Sequence, residues 1–166
     1  PRSYRRLWIS LIAVMVLSFL VLGYYGGEIY RKAPPIPKRV VTTDGQVLFT
    51  AQDIKDGQNV WQSIGGQQAG SIWGHGAYVA PDWSGDWLHR EAIFILDRWA
   101  NEEYQTPFEK LDEEKHAQLS GRLAKLMRTN TFDASTETIT LDPIRAEAFE
   151  ANLTHYSEVF SEGQAN

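Results

Sequence analysis

Between Leu7 and Tyr25 the chain runs nineteen residues without a charge, LWISLIAVMVLSFLVLGYY. At about 1.5 Å per residue a helix of that length covers ~28 Å, close to the ~30 Å hydrocarbon core of a bilayer. Trp8 at one end and Tyr24 and Tyr25 at the other sit where amphipathic rings settle at membrane interfaces. The run is apolar all round, unlike the one-sided helix of a soluble surface. A cleaved signal peptide is the competing reading. Its apolar region is shorter, about 7–15 residues, and ends in a small-residue cleavage site, whereas this run ends Tyr-Tyr-Gly-Gly. We read residues 1–33 as a retained single-span anchor, loosened at Gly26-Gly27 and stopped by a Pro-rich linker at 34–39.

The chain has 166 residues, a formal net charge of −5 and no cysteine. That length holds one ordinary domain, or an anchor with one small domain. Without cysteine there is no disulfide framework, zinc–thiolate site, iron–sulfur cluster or covalently attached c-type haem. A pI of about 5.4 removes the basic face that nucleic-acid binding needs, so no nucleic acid is expected as a partner. The charge is polarised: residues 1–39 carry seven Lys/Arg against Glu28 alone, whereas residues 40–166 carry nine basic and twenty acidic residues. Arg2, Arg5 and Arg6 flank the span on one side, and Arg31, Lys32, Lys38 and Arg39 on the other, close to a tie by the positive-inside rule. The first three lie nearer the apolar core, which favours a cytoplasmic N-terminus and an exported body.

The body, residues 40–166, reads as mostly helical. Val40–Thr43 and Gln46–Phe49 flank Asp44-Gly45, a pair suited to a two-residue hairpin turn. Thr50-x-x-Asp53 opens a helix expected to reach about Ile64, with Ile54, Trp61 and Ile64 on one face. Residues 65–81, GGQQAGSIWGHGAYVAP, read as a loop whose five glycines let backbone pass close to something. A second helix, capped by Asp82 or Ser84, is expected to reach Tyr104 with Leu88, Ala92, Ile95 and Trp99 at helical spacing. A third covers about Asp112–Thr129, with Leu119, Leu123, Leu126 and Met127 inward. Thr138–Leu141 suggests a short strand. Asp142-Pro143 opens a fourth helix that would bury Ile144, Phe149, Leu153 and Phe160. The expected architecture is mainly α: one N-terminal transmembrane helix, then a small helical soluble domain with a short β-hairpin.

Five of the six tryptophans (Trp61, Trp73, Trp83, Trp87, Trp99) fall within 39 residues around the glycine loop. They suit a small aromatic core, a loop laid against a large flat cofactor or partner, or a core on one side with a docking loop on the other. The four histidines, His75, His89, His116 and His155, include no pair at the i, i+4 spacing of a helical metal site. His89 lies in Asp86-Trp87-Leu88-His89-Arg90-Glu91, which reads as a solvated or partner-facing helix surface with an Asp86–Arg90 ion pair. No Ser-His-Asp arrangement, phosphate loop or dinucleotide fingerprint can be read, and GGQQAG does not match G-x-G-x-x-G after a strand. On its chemistry alone the chain is not a self-sufficient enzyme.

A longer pattern surrounds the loop. Gly57-Gln58-x-x-Trp61-Gln62, Gly74-His75-Gly76-Ala77-Tyr78-x-Ala80-Pro81-Asp82-Trp83 and Asp86-Trp87-Leu88-His89-Arg90-Glu91 together resemble the N-terminal region of quinol-dependent nitric oxide reductases. Tyr4-Arg5-Arg6-Leu7-Trp8, the Gly-Tyr-Tyr-Gly-Gly end of the span and Lys32-Ala33-Pro34-Pro35 are similar as well. In that family one polypeptide joins a part like the membrane-anchored haem-c subunit of the cytochrome-dependent reductases to a transmembrane bundle. The bundle carries haem b, haem b3 and a non-haem iron. This sequence is expected to cover only the first part, with a cytochrome-c-like fold.

The haem-c subunit reads Cys-x-x-Cys-His, three residues, then Gly-x-Gly-Ala-Tyr-x-x-Pro. Counting back from Gly74, this sequence has Gly66, Ala69 and Gly70 where the two cysteines and the axial histidine would stand. The resemblance therefore implies a domain emptied of its haem, with Trp61, Trp73 and their neighbours filling part of the space. No cofactor is expected on this chain alone. The Gly-Ala-Tyr piece implies that Gly76 and Tyr78 share a calcium ion with the missing half, although His75 replaces a usually acidic residue and Tyr78 could instead pack under the loop. The implied role is the non-catalytic N-terminal part of an enzyme that turns two NO, two electrons and two protons into N2O and water. Its place would be the bacterial inner membrane, with a periplasmic domain. Its partners would be the catalytic bundle, membrane lipid and, through the missing half, quinol; a homodimer stays open. The alternative is a stand-alone membrane-anchored binding or assembly subunit with no enzymatic role.

Overall fold

The computed structural model describes residues 4–162; Arg2, counted above for orientation, and residues 163–166 lie outside them. The chain divides into two units, Pro1–Ile36 and Pro37–Asn166.

The first unit is one helix, α1 (Arg5–Lys32), long and apolar enough to cross a membrane. Gly26-Gly27 does not loosen it. The backbone ladder continues past the pair to Lys32, and Glu28 bonds Arg31 at 2.8 Å and Lys32 at 3.0 Å one turn on. Both cations also favour the negative end of the helix dipole. The helix stops at Ala33, which turns extended ahead of Pro34, as a residue before proline prefers.

The second unit opens with the expected hairpin, β1 (Arg39–Thr42) and β2 (Val47–Thr50). Thr50 then caps α2 (Ala51–Ser63) in a full capping box with Asp53. The glycine segment is more regular than a loop. It holds a single helical turn, α3 (Gly66–Ala69), and a small hairpin, β3 (Ser71–Ile72) with β4 (His75–Gly76). Next come α4 (Trp83–Tyr104), a 3-10 turn at Phe108–Lys110, α5 (Glu113–Arg128), β5 (Phe132–Asp133), β6 (Thr138–Leu141) and α6 (Pro143–Glu162).

The sheet is larger than a hairpin. Its strand order is β2-β1-β6-β5, and β6 lies parallel to β1 with Val40 opposite Ile139. Every helix of the second unit lies between those two strands in sequence except α6. The core forms where α4 meets α5 and α6, around Ile95, Leu96, Trp99, Ala100, Leu119 and Ala148. Trp99 therefore belongs to this core, its face covered by the Arg122 guanidinium 4.1 Å from the ring centroid. Ile64 and Leu153, expected inside, are exposed, and so is Phe160 over more than half its surface. The buried stripe of α6 instead runs through Ala148 and Asn152, whose amide donates to the Trp87 carbonyl at 3.1 Å.

Candidate functional site

The glycine segment is held by its own backbone and by the start of α4. Ser71 N–H donates to the Pro81 carbonyl at 2.9 Å, and Ala77 N–H to that of Gln67 at 3.0 Å. Asp82 caps α4 through the amides of Ser84 and Gly85 and also accepts from Gly74 N–H at 3.1 Å. Those amides, Gly85 first, hold its carboxyl below the usual carboxylate range. Ser84 Oγ accepts from Trp73 N–H at 2.9 Å. One acidic residue and one serine thus tie the hairpin tip to a helix end.

The tip itself is a two-residue turn with positive φ at both positions, 53° at Trp73 and 74° at Gly74. Glycine takes that geometry freely; a tryptophan does not. Gly76 is also tightly placed. A Cβ there would stand 2.3 Å from the Gly70 carbonyl oxygen, and its φ is 151°.

Beside the segment lies an aromatic cluster built from three separate stretches of chain. Trp87 stacks on Tyr156 with centroids 5.5 Å apart and planes 9° apart. Trp83 meets Tyr156 edge-on at 6.1 Å, and Trp61 meets Phe160 at 6.5 Å. Trp73 is not part of the packing; it is exposed.

Gly66 and Gly70 are pressed against this cluster. A Cβ on Gly66 would lie 2.2 Å from the Trp61 ring, and one on Gly70 would lie 1.9 Å from Trp83 Nε1. Gly66 and Gly70, which the resemblance matches to the first cysteine and the axial histidine of the haem-c motif, therefore have no room for a side chain unless a tryptophan moves. The residues present do not fit a covalently held haem. The packing leaves a cost: the buried Nε1 donors of Trp61 and Trp83 have no acceptor, about 1–3 kcal/mol each for an unmade buried hydrogen bond.

The Asp86–Glu91 stretch is only partly a solvated surface. Asp86 pairs with Arg90 at 2.7 Å as expected, but it also accepts from the Tyr156 hydroxyl at 2.5 Å. Burial pushes the Asp86 carboxyl up, yet the Tyr156 and Arg90 hydrogen bonds outweigh it and hold the carboxyl below its ordinary value. Burial, with Asp86 beside it, pushes the Tyr156 hydroxyl up. A depressed carboxylate contributes stability that is present above its unfolded pKa, about 3.9, and lost as pH falls through the lower folded value. Asp86→Asn is accordingly expected to lower stability by roughly 1 kcal/mol at neutral pH. It should also flatten the fall in melting temperature below about pH 4, which thermal scans across pH would measure.

Glu91 is buried, 5 % exposed, and bonds Arg145 of α6 at 2.7 Å. The pair spans 54 positions, so no local signal marks it. It sits in the wall between two cavities, one of about 500 Å³ lined by Trp61, Trp83, Trp87, Tyr156 and Phe160 of the aromatic cluster, the other beside the sheet and lined by Val40, Phe49 and Ile139.

Beyond Gly76 the segment projects outward. Tyr78 and Val79 are wholly exposed, at 102 % and 101 %, and Trp73 at 73 %. Tyr78 does not pack under the loop. Its phenol and the backbone oxygens around Gly76 are hard donors suited to a cation such as calcium. Among the described residues no cluster of three His, Asp or Glu could complete such a site. Oxygen ligands from this segment would be a partial shell.

Residues 37–166, the whole second unit, match the family model of the cytochrome c-like domain of the nitric oxide reductase protein NorB. The chain belongs to this family. No match is found among curated proteins. The cytochrome c-like domain of this NorB family member is thus mainly helical and lacks cysteine throughout; a helix apolar enough to cross a membrane precedes it.

Proposed function

We propose that the chain is the membrane-anchored, non-catalytic N-terminal part of a quinol-dependent nitric oxide reductase. Its glycine segment would dock over the haem-propionate side of the catalytic helix bundle. The observation that carries this reading is the exposed trio Trp73, Tyr78 and Val79 on a stretch with no Lys, Arg, Asp or Glu between Gly65 and Pro81. A soluble domain gains nothing from an exposed indole held at φ 53°, a conformation that costs a non-glycine residue about 1–2 kcal/mol. A contact surface for another protein gains an aromatic anchor.

Haem b, haem b3 and the non-haem iron of the bundle supply the redox chemistry. This chain's residues cover the haem edge, exclude water there, and offer oxygen from Gly76 and Tyr78 to a calcium ion shared with the bundle. Such an ion would offset propionate charge. The lack of room for a side chain at Gly66 and Gly70 supports a domain without haem c, and in this reading the bundle takes its electrons from quinol. The anchor sets the N-terminus in the cytoplasm and the domain in the periplasm.

The test uses the complete enzyme. Tyr78→Phe is expected to lower calcium retention and turnover with haem content unchanged, and a photo-reactive benzoylphenylalanine at Val79 to cross-link to the catalytic bundle. Unchanged calcium and rate would remove Tyr78 from the ion site. A Val79 cross-link that falls only on lipid, or does not form, would overturn the docking.

A further inference from the structure

How easily an aromatic ring gives up one electron depends on where its proton can go, and the rings of the cluster differ in this. Trp83 has no outlet. Its Nε1–H is buried without an acceptor among the described residues, and an indole N–H can only donate. Stripped of one electron, this indole would keep its proton. It would stay a cation in a poorly solvated place, and so a strong oxidant. Tyr156 does have an outlet. Its hydroxyl donates to the Asp86 carboxylate at 2.5 Å, the length of a hydrogen bond to an ionised oxygen. Arg90 shares that carboxylate at 2.7 Å and is itself partly exposed, so water can cover its charge once Asp86 is neutral. The Trp83 and Tyr156 rings meet edge-on with centroids 6.1 Å apart, in the range of aromatic contact, so an electron needs no bridge between them. Trp99 is the opposite case. The Arg122 guanidinium stands 4.1 Å over its ring, and a cation there opposes a second positive charge.

We propose that Trp83 and Tyr156 form a one-electron relay with Asp86 as its proton acceptor. A small outer-sphere radical oxidant reaches Trp83 through the cavity that it lines with the exposed Trp73. The oxidant takes one electron from the Trp83 indole and is reduced by one electron. Tyr156 returns an electron to the indole while its hydroxyl proton passes to Asp86. Trp83 is thereby restored, and a neutral phenoxyl radical and a protonated Asp86 remain. The relay stands on this geometry and not on the docking proposed above, so either can fail alone.

The experiment is pulse radiolysis of the full chain in detergent with the azide radical, which accepts one electron and becomes azide. Absorbance follows the indole radical as it decays and the phenoxyl radical as it grows. A first-order transfer, independent of protein concentration, is expected. It should be slower in heavy water, because the proton moves with the electron, and this comparison needs no variant. Tyr156→Phe should remove the phase. Asp86→Asn, which leaves the hydroxyl without a base, should slow it roughly a hundredfold, the scale of a positioned proton acceptor. Trp83→Phe should lower the phenoxyl yield, and melting curves show whether each variant is folded. A transfer phase that survives Tyr156→Phe, or an equal rate in heavy water, would overturn the proposal. So would an unchanged rate in folded Asp86→Asn or an undiminished yield in folded Trp83→Phe.

Discussion

Replacing Glu91 by alanine is expected to lower the unfolding free energy by about 3 kcal/mol, at the low end of the ~3–5 kcal/mol for breaking a buried ion pair. The loss has little to do with attraction between two charges. It comes from Arg145, left 23 % exposed between two cavities with no carboxylate to accept from it. Partial exposure lets water reach the guanidinium, which keeps the figure near the bottom of the range. Urea unfolding followed by far-ultraviolet circular dichroism measures it. The double variant Glu91→Leu with Arg145→Met should recover most of the loss, because removing both charges leaves nothing unpaired. If the single variant melted like the parent, Arg145 would have found another partner.

Trp87→Ala should cost about 3 kcal/mol as well, again at the low end for a large aromatic cut back to alanine. Trp87 stacks on Tyr156, tilts against Phe149 at 5.7 Å and lines both cavities, so its removal joins them into one. The ring is half-buried, and water will enter part of the space it vacates. Trp87→Phe keeps much of the contact and should lose less than half as much. An unchanged melting curve for Trp87→Ala would place the stack outside the stabilising core.

Local features were legible because their causes are local. The Asp44-Gly45 hairpin, the Thr50/Asp53 capping box, the Asp82 cap and the Asp142-Pro143 helix start each rest on residues within a turn of one another. Apolar spacing placed Ile95, Trp99 and Leu119 correctly. Long-range pairings were not legible. Nothing in Thr138–Leu141 announces that it will lie parallel to Arg39–Thr42, almost a hundred positions away. The same holds for Glu91 with Arg145 and Asp86 with Tyr156, which turned part of an apparent surface helix into wall. At the glycine segment, the count of glycines pointed to close approach but not to what approaches. Trp61 and Trp83 do so over Gly66 and Gly70, while Trp73 stays outside the packing.

The two indoles lying over those glycines also bear on history. A lineage that once held a porphyrin here could not regain it one codon at a time. Histidine at 70 would strike Trp83, and cysteine at 66 would strike Trp61, before either met a metal. Each forward step would force a tryptophan to shift or shrink first, and a shrunken tryptophan without a porphyrin leaves a hole. The packing acts as a ratchet, making the surrender of the cofactor far easier than its recovery.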